Sequence, residues 1–277
     1  MRTATAQRRL GDGRPVRWVP SPNHNERKGV AAPDMIVIHY TDMTSAEAAV
    51  RLLCDPDAKV SAHYLIGADG AVVQMVEEDR RAWHAGVSAW FGARDLNSRS
   101  IGIELDNPGH RPHAPTFPDV QVEALLALLA DLRARWAVPP WNVVAHSDIA
   151  PTRKIDPGEA FPWHRLACAG HVLAAEPAAG DQPTGDIVPP LVEVLAACGY
   201  VLESGDDPAP VINAFHRRHL PERVGRDASG TTLAAARALA DALAAARAVW
   251  TRRDDAQAVD KPLRVTAGAP ASCVKSG

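Results

Sequence analysis

The sequence predicts a mixed α/β fold, a central β-sheet flanked by helices, followed by a small C-terminal three-helix domain. Three observations point there. Short β-branched runs, "MIVIHY" at 35–40 and "NVVAH" at 142–146, read as buried strands. Amphipathic stretches stand between them, as α/β architecture requires. A Pro-, Gly- and Asp-rich segment, "EPAAGDQPTGDIVPP", then marks a linker ahead of three further helical patterns.

Taken in order, residues 1–33 are rich in Arg, Pro and Asn and predict an irregular N-terminal arm. The α/β domain is expected over 34–175. It opens on the strand 35–40, and "TSAEAAVRLL" follows as a helix in which Thr44 and Glu47 have capping-box spacing. "SAHYLIGADGAVVQMV" predicts a hairpin about an Asp69-Gly70 turn. In "SIGIELDN" strand alternation puts Ile101 and Ile103 on one face and Ser100, Gly102 and Glu104 on the other. A long helix is expected at about 118–136, where Val122, Leu125, Leu126, Leu129, Leu132 and Trp136 recur at helical spacing. Residues 176–190 predict the linker, 191–250 the helical domain and 251–277 a flexible tail.

Bulk properties narrow the function. At 46% apolar residues the chain of 277 can bury a proper core. A net charge of −3 without a basic stripe argues against nucleic acid as partner. The four cysteines are far apart and form no CxxC pair, which speaks against a disulfide framework and against a cysteine metal site. The N-terminal residues lack the apolar core of a secretory signal and no lipobox follows, so the expected location is cytoplasmic, with the periplasm or envelope as the alternative. No apolar run approaches the roughly 18 residues of a membrane span. Nothing here bears on oligomeric state.

The chemistry concentrates in "VVAHSDIAPTRKIDPG" at 143–158. His39 and His146 both close predicted strands, where a sheet presents side chains from a rigid frame. Asp156 follows in a loop bounded by Pro151 and Pro157. Two neutral imidazoles and one carboxylate form a zinc ligand set with a fourth position open. One carboxylate against a divalent ion leaves a net positive centre, able to bring the pKa of a bound water to near ~7. Taken alone, a strand-end histidine is also a structural hydrogen bonder, and Asp before Pro-Gly is also a turn former. Glu104, unusual in an apolar strand, is either salt-bridged or a general base that returns its proton to a leaving amine. Lys154 is either a solvated surface lysine or an oxyanion partner.

Five motifs in order, "MIVIHYT", "SAHYLI", "AWHAG", "NSRSIGIELDNPG" and "VVAHSDIAPTRKIDPG", resemble the type-2 N-acetylmuramoyl-L-alanine amidases. These are zinc enzymes of the peptidoglycan-recognition-protein and phage-lysozyme superfamily. The resemblance spans about 34–166 and implies a peptidoglycan-recognition-protein-like fold with one zinc per chain. It implies that His39, His146 and Asp156 are the zinc ligands, Glu104 the catalytic acid/base and Lys154 the residue stabilising the tetrahedral intermediate. By the same resemblance Tyr64 supports catalysis or binding, while His84, Arg94 and Asn97 contact sugar or peptide. His63, His110, His113, His164, His171, His216 and His219 are set aside as ligands.

Residues 191–250 resemble a small peptidoglycan-binding domain, although Phe215-His216 stands where that family reads Phe-Gln. The implied activity is hydrolysis of the amide between N-acetylmuramic, or 1,6-anhydro-N-acetylmuramic, acid and L-alanine. The alternative is a non-catalytic peptidoglycan receptor. Within the enzymes, the roles implied are recycling of soluble muropeptides and trimming of intact wall.

Overall fold

The computed structural model describes residues 8–111, 116–175 and 185–259, with 253–259 described by their backbone alone. In chain order the strands are β1 (Val16–Trp18), β2 (His24–Glu26), β3 (Met35–Tyr40), β4 (Tyr64–Ile66), β5 (Val72–Gln74), β6 (Arg80–Ala82), β7 (Ser100–Leu105) and β8 (Val143–Ala145). The helices are α1 (Ala46–Leu53), α2 (Leu96–Arg99), α3 (Asp119–Trp136), α4 (His146–Ile149), α5 (Trp163–Cys168), α6 (Val188–Ala197), α7 (Ala209–His219) and α8 (Gly230–Val259). The described residues up to Leu243 lie in one compact unit, and α8 continues beyond it into a second. Among the described residues no helix is long and apolar enough to cross a membrane.

Six strands form a mixed sheet in the order β1-β5-β4-β7-β3-β8. Interior β3 is parallel to both β7 and β8, which is why "MIVIHY" is continuously apolar rather than alternating. Its register sets Ile38 opposite Ile103 and His39 opposite Glu104. Period-two geometry then divides the sheet. Ile36, Ile38, Ile101 and Ile103 face a core filled by Leu125, Leu128, Leu129 and Leu132 of α3. Met35, Val37 and His39 face the other way, with Gly102 and Glu104 of β7.

That second face is shared with the C-terminal helices. Met35, Val37, Val144 and Ile149 belong to one apolar cluster with Leu191, Leu195, Tyr200, Ile212, Phe215 and Leu233. His216 is fully buried there and bonds Thr232 Oγ1 at 3.0 Å. α6 starts at Val188, inside the expected linker, because Pro189 and Pro190 fall in its first turn, where a missing N–H goes unnoticed. α8 runs on to Val259, so helix replaces the flexible tail expected over 251–259. Residues 260–277, most of the linker (176–184), His113 and the expectations resting on them lie outside the described residues.

Other departures are local. The helix cap at α1 is Ser45, not Thr44: its hydroxyl accepts from the Ala48 N–H at 3.2 Å. The arm expected to be irregular carries two strands. β1 adds to the sheet edge parallel to β5, and β2 pairs antiparallel with β6. Both are three residues long and mostly unburied, too short for a periodic signal to stand out. The Asp69-Gly70 hairpin forms as expected, with Gly70 at φ +79° where the turn needs a left-handed residue.

One buried carboxylate ties the arm to α3. Glu78 Oε1 accepts from Arg135 at 2.7 Å, from Arg8 at 2.9 Å and from the Tyr64 hydroxyl, and Oε2 accepts from Trp136 Nε1 at 2.5 Å. Burial pushes this acid up, but hydrogen bonds from Arg135, Tyr64 and Trp136 outweigh it and draw it down to about 2. A folded-state pKa below the unfolded value adds stability above about pH 4.5, and that stability drains away as pH falls toward 2. Glu78→Gln, which mimics the protonated acid, is therefore expected to lower unfolding free energy at pH 7 by about 2–3 kcal/mol. In denaturant titrations the gap to wild type closes between pH 4.5 and 2. A gap independent of pH would mean the carboxylate charge contributes nothing.

Candidate metal centre

The loop between β8 and α5 brings two of the expected ligands together by backbone bonding. β8 ends at Ala145, and His146 is the first residue of the single turn α4 rather than the last of the strand. Asp148 Oδ2 closes that turn by accepting from the Ala145 N–H at 2.8 Å. The chain then doubles back, and the Asp156 carbonyl accepts from the Ser147 N–H at 3.0 Å. Asp156 is thereby held beside His146, ten residues away in sequence. β3 delivers His39 from the adjacent strand.

The three side chains converge. His39 Nδ1 and His146 Nδ1 are 3.0 Å apart, and each is 3.0 Å from Asp156 Oδ2. All three residues are buried, and among the described residues they form the one group placed to hold a metal ion. A four-coordinate ion with bonds of about 2.0–2.1 Å spaces its ligands by about 3.3 Å. Three lone-pair donors at that spacing, carrying one formal negative charge, fit a divalent cation. Without a cation, protons on the two Nδ1 atoms have to fill that space by hydrogen-bonding to Asp156.

The surroundings orient the donors. His39 Nε2 meets His84 Nδ1 at 3.0 Å, and His146 Nε2 lies 3.3 Å from the Ala85 carbonyl. Binding each imidazole's far nitrogen fixes the ring and leaves the other lone pair for a metal. Burial, then the neighbouring His146, lowers His39 to about 4. Burial and His39 hold His84 well below the usual histidine value. Both rings are neutral at pH 7, as a ligand must be. Burial opposes ionisation of Asp156, but bonds from His146 and His39 keep it below the usual carboxylate range.

Glu104 sits one strand over from His39, on the same face. Its Oε2 is buried without a hydrogen-bond partner. Burial and the nearby Asp156 push the acid well above its ordinary value, while Lys154 pulls it back. A carboxylate oxygen left unpaired beside a cation site is an atom with a task outside the fold. His39, Glu104, His146, Lys154 and Asp156 all line one groove of roughly 400 Å³.

Of the expected substrate contacts, the structure places His84 in the groove and the other three elsewhere. Tyr64 is fully buried on the α3 face of the sheet, its hydroxyl on Glu78 and Arg8, because alternation along β4 turns it away from Glu104. Arg94 is exposed on the surface and pairs with Glu203. Asn97 is buried, and its Oδ1 accepts from the His84 and Ala85 N–H groups at 3.0 and 2.7 Å, so it shapes the loop under the ligands. The groove also takes in Trp83, which belongs to the "AWHAG" segment, and Arg153 with an apolar rim of Leu52, Val60 and Ile155, none of which the sequence singled out. A signal existed, because Arg153 and Ile155 lie inside the 143–158 motif and Val60 directly precedes "SAHYLI". His63, set aside as a ligand, bonds the Gly102 N–H and the Arg80 carbonyl instead.

Comparisons with known proteins point to one family. A family model described as N-acetylmuramoyl-L-alanine amidase matches residues 29–159. The N-acetylmuramoyl-L-alanine amidase AmiD of Escherichia coli is 39% identical over 231 residues, which is 74% of this chain and 81% of that protein. The 1,6-anhydro-N-acetylmuramyl-L-alanine amidase AmpD of Enterobacter cloacae is 40% identical over 168 residues, 54% of this chain and 88% of that one. Among solved structures, E. coli AmiD in complex with the substrate anhydro-N-acetylmuramic acid-L-Ala-D-γ-Glu-L-Lys matches with TM-score 0.69 at 36% identity, over 79% of this chain and 97% of that chain. AmpDh3 from Pseudomonas aeruginosa in complex with anhydromuramic pentapeptide matches with TM-score 0.69 at 30% identity, over 80% and 97%.

Gly102 gives a test of the ring arrangement. A Cβ built there would lie 2.5 Å from His84 Cγ, so any side chain displaces the ring that steadies His39. Gly102→Ala is expected to weaken metal affinity by roughly 10-fold or more, read by competition with a chromophoric chelator. Unchanged affinity would show that His84 does not steady the site.

Proposed function

The chain belongs to the N-acetylmuramoyl-L-alanine amidase family, and from that premise we propose which residues carry its chemistry. It is a hydrolase of the amide that joins N-acetylmuramic acid to L-alanine. His39, His146 and Asp156 hold one zinc ion, Glu104 is the general base and acid, and Lys154 stabilises the oxyanion. On this reading residues 34–175 carry the chemistry, and the helical domain begins with α6 at Val188.

The observation that carries it is the register pair His39 and Glu104, neighbours on one face of two parallel strands. Strand spacing fixes such neighbours about 4.8 Å apart at the backbone. Glu104 is thus beside the ligand set but not in it. Zinc is favoured by two imidazoles and one carboxylate with an open fourth position. When bound, the ion supplies Lewis acidity and brings the pKa of a water to near ~7.

Glu104 takes the proton of the attacking water at its unpaired Oε2. The water oxygen bonds to the lactyl carbonyl carbon, and the carbonyl oxygen gathers negative charge. Lys154, lining the same groove, is the ammonium available to that oxygen. As the C–N bond breaks, Glu104 returns the proton to the alanine nitrogen.

The substrate we propose is a peptidoglycan fragment with a 1,6-anhydro-muramyl end. Support comes from the AmiD and AmpDh3 complexes with anhydro-muramyl peptides and from the AmpD name. Soluble anhydro-muramyl tripeptide and intact sacculi should be compared with purified, zinc-loaded chain, released peptide being measured by mass spectrometry. Cleavage of the soluble fragment, abolished by a chelator and restored by zinc, is the expected result. Release from sacculi alone would overturn the fragment assignment, and cleavage of neither with zinc bound would favour a receptor. Glu104→Gln is expected to keep zinc and lose about 10²–10⁴ in kcat. His39→Ala loses zinc and turnover together.

A further inference from the structure

The loop that carries His146 and Asp156 is too short to hold itself. α4 is a single turn, and an isolated turn has no stability of its own. Its shape depends on Asp148, two residues after His146, whose side chain is fully buried. Besides capping Ala145, that carboxylate accepts from the Tyr200 hydroxyl at 2.9 Å and from Arg218 Nη1 at 2.5 Å. Both donors come from the C-terminal helical segment. Arg218 is buried as well: Nη2 donates to the Val143 carbonyl at 3.0 Å, and the guanidinium lies 4.3 Å from the centre of the Trp163 ring.

The adjacent Arg217 reaches the other end of the same loop. Its Nε lies 3.7 Å from Glu159 Oε2, three residues after Asp156, and that oxygen also meets His110 Nε2 at 2.9 Å. Two consecutive arginines of α7 thus contact the two flanks of the ligand loop. A buried carboxylate stripped of its counter-ion is strongly unfavourable, so Asp148 cannot keep its place without Arg218.

We propose that the C-terminal helical segment is a positioning element of the metal centre. Arg218 and Tyr200, acting through Asp148, and Arg217, acting through Glu159, hold His146 and Asp156 in register with His39. This rests on the metal assignment above. It gives α7 a task separate from glycan binding, because Phe215 and His216 are spent in the shared core and Arg217 and Arg218 on the loop.

The test uses full-length chain carrying Arg218→Met, Arg218→Lys, Arg217→Met or Tyr200→Phe. Zinc affinity is read by chelator competition, ligand geometry by the visible spectrum of cobalt-loaded protein, and fold by melting of the metal-free form. Arg218→Met is expected to weaken zinc binding by about 10-fold or more, to shift the cobalt bands, and to lower kcat with KM little changed. Arg218→Lys restores part of this, since an ammonium cannot serve the carboxylate and the Val143 carbonyl in the same fork. Tyr200→Phe keeps the ring packing and loses a few-fold in affinity, so it carries the test if Arg218→Met does not fold. Variants that melt earlier yet bind zinc and colour cobalt as wild type does would overturn the proposal. A wild-type chain that binds no zinc would instead sink the metal assignment, and the positioning role with it.

Discussion

Three lone-pair donors held 3.0 Å apart in a buried pocket are the constraint around which this molecule is arranged. Two imidazole nitrogens and a carboxylate oxygen repel one another unless a cation or protons stand between them. Burial makes the repulsion worse by removing water. Such a triangle is stable only if the frame beneath it is stiffer than the repulsion, and the frame here is the parallel ladder of β7, β3 and β8. The same ladder sets Glu104 beside the triangle without letting it join.

The sheet divides its labour between faces. One is closed by the leucines of α3 together with Phe117, Phe161, Trp163 and Leu166. The other must cover a polar site, and uniform apolar packing would bury those groups unsatisfied. The structure resolves this by zones. At the ends of the strands the face opens into the groove, while lower down Met35, Val37 and Val144 are capped by α6, α7 and α8. The buried charges at the seam, Asp148 and Arg218, are compensated across it.

Much of this was legible in the sequence because it rests on local pattern. A β-branched run ending in His39, an alternating strand interrupted by Glu104, and a proline-bounded loop with His146 and Asp156 each announce themselves within ten residues. What could not be read depends on which way a side chain turns after long-range pairing. Tyr64 belongs to a motif beside the groove, yet the pairing of β4 with β7 sends it to the far face, onto Glu78. Asn97 and Arg94 lie in a segment that lines no part of the groove. One is consumed by the backbone of His84 and Ala85, the other by Glu203. The capping shift from Thr44 to Ser45 is a one-residue matter that hydroxyl chemistry cannot decide. Tyr200, Arg217 and Arg218 gave no signal at all, since their partners lie at least 52 residues away in sequence.

The most direct test of the account is X-ray absorption at the zinc edge on the purified chain. The expected result is one zinc per chain with only nitrogen and oxygen neighbours at about 2.0–2.2 Å, and outer-shell scattering from two imidazoles. Loss of that imidazole signal in His39→Ala would tie it to this site. Sulfur neighbours at about 2.3 Å, or protein that takes up no zinc, would contradict the central claim that His39, His146 and Asp156 form the metal centre.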